Sequence, residues 1–271
     1  MLAIKNNIMA ANAARFLGRS YDALAQSVER LSSGLRINSA KDDAAGLAVR
    51  ELMRSDVAVM QQGSRNALDG VSMLQTTEGA MQTIDDILTR MKQLAEQAAT
   101  GLYTDPQRTL MNTEFTEIGA EITRVAGADV FNGIILLDDD ATTVTIRFGE
   151  AAADAIDVTG HDMTLTGLGI AAATIATAAG ADAALGLLTL AIEEATTARA
   201  SFGAKMNRLE NTVNLLSIQT ENTMAAESRI SDVDVATEMA AMTRNQVLAQ
   251  AGTAMLAQAN TMPQMALTLL R

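Results

Sequence analysis

A mainly α fold is predicted: a long antiparallel helical bundle or coiled coil formed by the N- and C-terminal segments, with a small β-hairpin insert. Three observations predict it. Residues Asn245–Leu270 hold no charged side chain, yet Asn245, Gln246, Gln250, Gln258, Asn260 and Gln264 make them too polar for a membrane span. They keep a heptad through Leu248, Gly252, Met255, Ala259, Met262, Ala266 and Leu269, and the N-terminal segment carries a matching stripe. Only 2 prolines and 3% aromatics occur in 271 residues, which favours long helices over sheet.

The first helix carries Ala14, Leu17, Tyr21, Leu24, Val28, Leu31 and Leu35 on one stripe, with Arg15, Arg19, Asp22, Glu29 and Arg30 opposite. Gly34 and Arg36-Ile37-Asn38 break it, and Ser39 with Asp42 offers a capping box for the next helix. That helix is expected from Ala40 to Ala99, about 90 Å long, with a seam through Leu74, Met81, Ile84, Leu88, Met91, Ala95 and Ala98. Pro106 suits the first turn of a third helix, whose Met111, Phe115, Ile118, Ile122 and Val125 alternate at heptad spacing until Gly127 and Asn132-Gly133 end it. Val144, Ile146 and Phe148 then alternate with Thr145 and Arg147, a strand signature, and Thr, Gly and Ala crowd the rest up to Asp182. One or two hairpins are expected there, exposed at the far tip of the bundle. Helical spacing returns through Leu188, Ala195, Phe202, Leu209, Val213 and Leu216, breaks at Ser231–Asp234, and resumes to the end.

A charge-free helix needs protein on every side, and a chain of this size has little mass to wrap its own end. Other copies of the chain are the natural wrapping. The assembly seam is therefore read as Leu17, Leu24, Val28 and Leu31 facing Leu248, Met255, Met262 and Leu269. The formal charge of −12, with no basic stripe, disfavours nucleic acid as a partner. No segment fits membrane insertion, and Met1–Asn7 lacks the apolar core of a secretory signal, so export without a cleaved signal peptide or residence in the cytosol is expected. No cysteine is present, which removes disulfides and thiolate metal sites.

Signals for catalysis, cofactors or metals are sparse. His161 is the single histidine and reads as a solvated loop side chain rather than a triad member or metal ligand. Gly167–Ala172 matches G-x-G-x-x-A but lacks the βαβ surroundings of a dinucleotide site, so a tight turn is expected. Asp138-Asp139-Asp140 reads as a solvated charge run rather than a cation site. No enzyme and no cofactor are expected. The hydroxyls of the Thr-rich insert, Thr143, Thr164 and Thr166 among them, are candidate O-glycosylation sites.

Two stretches carry a family resemblance. Leu31-Ser-Ser-Gly-Leu-Arg-Ile-Asn-Ser-Ala-Lys-Asp-Asp-Ala-Ala-Gly-Leu-Ala48 resembles the N-terminal signature of bacterial flagellins. Ser228–Asp234, Ala236–Glu238, Ala251–Asn260, Pro263-Gln264 and Leu269-Leu270-Arg271 resemble their C-terminal one. The resemblance covers residues 1–137 and 183–271 and implies a self-assembling filament subunit for swimming motility, exported through the flagellar type III channel. It implies an inner-tube domain of residues 1–39 and 231–271, an outer-tube bundle of 40–137 and 183–230, and a much reduced variable insert of 138–182. Terminal segments that fold on assembly are implied too, with an export chaperone, cap and hook-associated proteins as partners besides the homopolymer itself. Leu88, Arg90, Leu94 and Glu114 match the patch read by the host flagellin-sensing Toll-like receptor, while Lys92 and Gln93 depart from it. A hook–filament junction protein is the alternative within this resemblance, and an intracellular helical adaptor the alternative outside it.

Overall fold

The computed structural model describes the backbone of residues 6–269 and the side chains of residues 6–262. Its helices are α1 (Ile8–Ser33), α2 (Ala44–Ala99), α3 (Asp105–Ala128), α4 (Ala178–Ser231) and α5 (Val235–Leu269). The strands are β1 (Val130–Phe131), β2 (Ile134–Ile135), β3 (Thr143–Arg147) and β4 (Ala155–Thr159), paired antiparallel as β1–β2 and β3–β4. Two compact units result, one of residues 1–56 with 222–271 and one of residues 57–221, and α2 and α4 contribute to both. Compactness thus divides the chain inside these two helices.

In the unit of the chain ends, α1 and α5 run antiparallel. Asn7 accepts the Ala10 N–H at 3.1 Å to start α1, and Gly34 ends it in the left-handed region at φ 75°, its N–H bonded to the Arg30 carbonyl at 2.8 Å. The expected cap at Ser39 is not formed. Asp42 instead accepts the N–H groups of Asn38 and Ser39 at 3.2 and 3.1 Å, closing a separate turn, and the Ser39 N–H holds its carboxyl below the usual carboxylate range. Asp43 is the residue that caps α2, accepting the Gly46 N–H at 2.9 Å. The helix therefore begins at Ala44, one turn later than the expected Ala40.

The other unit is a helical bundle with a packed cover. On α2 the expected seam is fully realised, from Leu74 through Met81, Ile84, Leu88, Met91 and Ala95 to Ala98, all buried. On α4 the buried row is Ala181, Ala184, Leu188, Ala191, Ala195, Ala198, Phe202 and Leu209, so alanines occupy most of the seam and let the helices approach closely. The helix starts at Ala178, inside the segment expected to be irregular. Each large side chain on these rows contributes about 1.5–3 kcal/mol before entropy is subtracted.

The insert is not an exposed tip. Ile146, Ile156 and Val158 of the β3–β4 hairpin, with Met163, Leu168, Ile170 and Ile175 beyond it, belong to the same apolar core as the helices. The hairpin lies along the middle of α2, where the Asn66 amide donates to the Arg147 carbonyl at 2.9 Å. Asn112 on α3 fastens the far end, accepting from the Ile175 N–H at 2.8 Å. The Asn132-Gly133 pair, read from sequence as a helix stop, is a two-residue hairpin turn with both φ positive, at 52° and 83°. His161 is half-buried rather than free in a loop: its ring meets the buried Phe202 edge-on, with the centroids 5.4 Å apart.

Close approach of hairpin and helix fixes the size of one residue. A Cβ on Gly63 would lie 2.1 Å from the Phe148 carbonyl oxygen, whereas one on Gly79 would meet nothing. Gly63→Ala is therefore expected to destabilise this unit by about 1–3 kcal/mol, and Gly79→Ala to stabilise it by about 0.5–1 kcal/mol. Urea unfolding of the two variants beside the parent protein measures both signs.

Candidate functional site

The candidate site is the antiparallel pair of chain ends. Backbone bonds tie its base: the Arg36 N–H donates to the Ser231 carbonyl at 2.6 Å and the Val233 N–H to the Gly34 carbonyl at 3.0 Å. Arg36 also reaches the Ile230 carbonyl at 2.6 Å through its guanidinium. Asp234 caps α5, accepting from the Ala236 N–H at 3.0 Å and from the Thr237 hydroxyl at 2.7 Å; that hydroxyl chiefly holds its carboxyl below the ordinary range. Farther along, Arg30 stands 3.6 Å from Glu238, and the Asn7 amide donates to the Ala259 carbonyl at 2.8 Å. The two signature-like stretches thus meet each other at this base.

The seam within the chain differs from the expected one in rotation. Leu17, Leu24 and Leu31 face α5 half-buried, but their partners on α1 are Ser20 and the buried Ser27, while Tyr21 and Val28 point outward. On α5 the inward row is Met242, Asn245, Ala249, Gly252, Leu256 and Ala259. Leu248, Met255 and Met262, expected to face α1, are turned away from it, with Met255 62% exposed. Leu269 lies outside the residues whose side chains are described. The physical reason is size: a Cβ on Gly252 would come within 3.2 Å of the Leu17 side chain, so the helices touch through small residues.

The four residues of the receptor-like patch separate as well. Leu88 and Leu94 are 0% and 2% exposed and serve the core. Arg90 and Glu114 remain on the surface as an ion pair at 2.7 Å, both about half exposed. Of the candidate sugar acceptors, Thr143 and Thr166 are exposed, but Thr164 is buried and its hydroxyl donates to Asp162 at 2.6 Å. Asp139 and Asp140 accept backbone N–H groups of Ala141 and Asp162, and among the described residues no three acidic or histidine side chains converge on a metal position. Gly167–Ala172 forms a turn with Gly169 at φ 68°, with no strand before it. No helix among the described residues is long and apolar enough to cross a membrane.

Three charged groups escaped the sequence reading. Arg108 is buried and donates to the Ala98 and Thr100 carbonyls at 2.7 and 2.8 Å, closing the C-terminus of α2, while Asp105 holds it at 2.9 Å. Arg199 on α4 bridges to Glu78 and Asp85 on α2, both at 2.5 Å, and Glu78 chiefly raises its pKa above the ordinary value. Asp129 follows α3 as its C-terminal cap, where burial pushes its carboxyl up against the opposing hydrogen bond of Thr77. Basic residues three positions past an acid in a first turn signal the first case; nothing in the spacing signals the other two.

Family models of the bacterial flagellin N-terminal helical region and of the bacterial flagellin C-terminal helical region match residues 4–142 and 185–270. The flagellin of Halalkalibacterium halodurans is 41% identical over 270 residues, 99% of each chain. The chain belongs to the bacterial flagellin family. A crystal structure of Bacillus cereus flagellin is similar with a TM-score of 0.52 at 30% identity, over 60% of this chain and 94% of that one. The structure of a putative flagellar hook-associated protein from Vibrio parahaemolyticus is similar with a TM-score of 0.59 over 70% of this chain and 100% of that one; at 15% identity it shares the fold alone. Membership places the chain in a structural protein family; the first matched region contains α1 and the second α5.

Arg108→Met is expected to cost about 2–3 kcal/mol, because two carbonyls lose a charged donor in a buried setting. Glu114→Ala at the exposed ion pair should cost less than about 0.5 kcal/mol. Equilibrium urea unfolding separates the two. For Asp129, the folded state holds the proton more tightly than the unfolded chain, so its effect on stability worsens as pH rises through the window above the ordinary carboxylate value. Asp129→Asn should therefore raise the melting temperature at neutral pH, with an advantage that shrinks towards acidic pH, as scanning calorimetry across pH reads directly.

Proposed function

We propose that the chain is the structural subunit of a bacterial flagellar filament and that the α1–α5 pair is its polymerisation element. One observation carries this reading: the pair leaves its large apolar side chains uncovered. Phe16, Tyr21 and Val28 on α1 and Val247, Leu248, Met255 and Met262 on α5 are each at least one-third exposed, while Ser27 and Ala249 are the buried members of these helices among the described residues. So little burial gives a marginal pair on its own, and the missing apolar contact has to come from further copies of the chain. The nearly complete absence of charge along α5 removes the repulsion that would otherwise oppose such stacking.

In this reading residues 1–39 and 231–271 form the inner tube and fold fully on assembly, residues 40–137 and 183–230 form the outer bundle, and residues 138–182 are its cover. The compact core of the second unit suits a part that stands folded before assembly. Similarity to flagellins over both matched regions favours the filament over the hook–filament junction. Flagellin relatives make up extracellular filaments, and passage through the type III export channel, met by a chaperone on one side and cap and hook-associated proteins on the other, is the route that fits the reading. No catalytic role is assigned. Thr143 and Thr166 are the insert hydroxyls open to a sugar, and Arg90 with Glu114 is the surface left to a host receptor.

Phe16→Ser combined with Leu248→Gln removes two outward apolar groups without touching the inward rows. The double variant should leave the melting temperature of the compact unit unchanged and fail to yield pelletable filaments by ultracentrifugation and electron microscopy. Normal filaments from this variant would remove the basis of the reading.

A further inference from the structure

The methionine sulfurs of this chain differ widely in exposure. The chain has 16 methionines and no cysteine, so an oxidant meets thioethers and no thiols. In the compact unit Met73, Met81, Met91 and Met163 are 1–3% exposed. In the unit of the chain ends Met9, Met239, Met255 and Met262 are 37–66% exposed. Two of these, Met255 and Met262, stand one heptad apart on the same outward row of α5 as Leu248. Their surroundings on α5 hold no charged group that could compensate a polar neighbour.

We propose that Met255 and Met262 form an oxidation switch on the free subunit, one that shuts off polymerisation and is undone when an external dithiol reduces the sulfoxide, the dithiol becoming a disulfide and the oxygen leaving as water. This rests on the reading of the outward α5 row as an assembly surface. The oxidant is a peroxide. The thioether sulfur gives an electron pair to one peroxide oxygen, the O–O bond breaks, an S–O bond forms, and water leaves after proton transfer within the peroxide. Sulfur is oxidised by two electrons and peroxide is reduced by two. The product replaces a flexible apolar side chain with a polar one whose S–O dipole needs a hydrogen-bond partner. Buried against another copy on a charge-free face, that oxygen would stand without one. In the filament the same two sulfurs are covered, so oxidation acts on subunits not yet assembled and spares those already placed.

The test treats purified full-length subunits and preformed filaments with hydrogen peroxide and maps sulfoxides by peptide mass spectrometry. Free subunits should carry sulfoxide at Met255 and Met262 and spare Met73, Met81, Met91 and Met163, and filaments should spare Met255 and Met262 too. The critical concentration for polymerisation should rise roughly tenfold or more after oxidation and return after treatment with methionine sulfoxide reductases. In M255L/M262L, compared with itself before peroxide, the rise should fall below about twofold, since Leu keeps the volume and cannot be oxidised. An unchanged critical concentration despite mapped sulfoxides at both positions overturns the switch, as does an equal rise in M255L/M262L. The polar variant M255Q/M262Q tells the two layers apart. If it polymerises as the parent does, the assembly row itself is misassigned; if it fails while oxidised parent subunits assemble normally, only the switch is lost.

Discussion

Everything in the terminal unit depends on one contact between segments nearly a whole chain apart: α1 against α5. Leu35 and Asp232 form an isolated antiparallel bridge at its base, and Gly252 lets the backbone of α5 approach Leu17 farther along. Closing so long a loop is entropically tolerable because its cost rises only with the logarithm of length, and the compact core of residues 57–221 has already closed most of it. The backbone bonds at Gly34, Arg36, Ser231 and Val233 then set the register from which the rest of the pair follows. This explains why the two family-like stretches are dense around residues 31–48 and 228–238. Gly34 stops one helix, Ile37 plugs the junction at 1% exposure, Asp42 and Asp43 rebuild the chain into α2, and Asp234 starts α5.

How much of this was legible depended on which contacts a pattern encodes. The α2 seam was readable residue by residue, because Leu74 to Ala98 keep strict heptad spacing and the same face is buried throughout. The family membership was readable too, since the signatures are long and contiguous. The β3–β4 hairpin was legible from its alternation, but its placement was not: alternation says that one face is buried and not that the burying surface is α2. The Asn132-Gly133 turn carried a strong hairpin signal that its position after a long helix disguised. Arg108, Arg199 and Asp129 were missed for a different reason. Their partners are carbonyls at a helix end, acids on another helix or, for Asp129, the Thr77 hydroxyl, and a single sequence holds no record of which helices meet.

The rotation of the α1–α5 seam is the most instructive departure, because a one-residue displacement occurs on both helices, towards the N-terminus on α1 and towards the C-terminus on α5. On α1 the row of Leu17, Leu24 and Leu31 is shared with the expected stripe, and Ser20 and Ser27 take the places expected for Tyr21 and Val28. On α5 Gly252 and Ala259 are shared, and Ala249 and Leu256 take the places expected for Leu248 and Met255. At Tyr21 against Ser20, Val28 against Ser27 and Leu248 against Ala249, a hydrophobicity pattern picks the larger residue of the adjacent pair, and here the chain's own contact uses the smaller one.

That choice follows from what a weak intrachain pair must do when it is destined for a larger assembly. Small and polar residues at the contact allow close approach of two backbones while burying little apolar area, so the pair is formed but not saturated. Had Val28, Leu248 and Met255 been turned inward, the two helices would have satisfied each other and left a weaker surface for further copies. With serine, alanine and glycine set among the inward leucines, Tyr21, Val28, Leu248 and Met255 remain available on the outside, and in the proposed reading their burial is left to contacts between chains. Uncharged polar side chains such as Gln250 and Gln258 keep that surface wettable in the free subunit without placing a charge where a neighbour must pack. In the proposed reading, the face on which each helix carries its larger apolar groups is what couples folding of the ends to assembly.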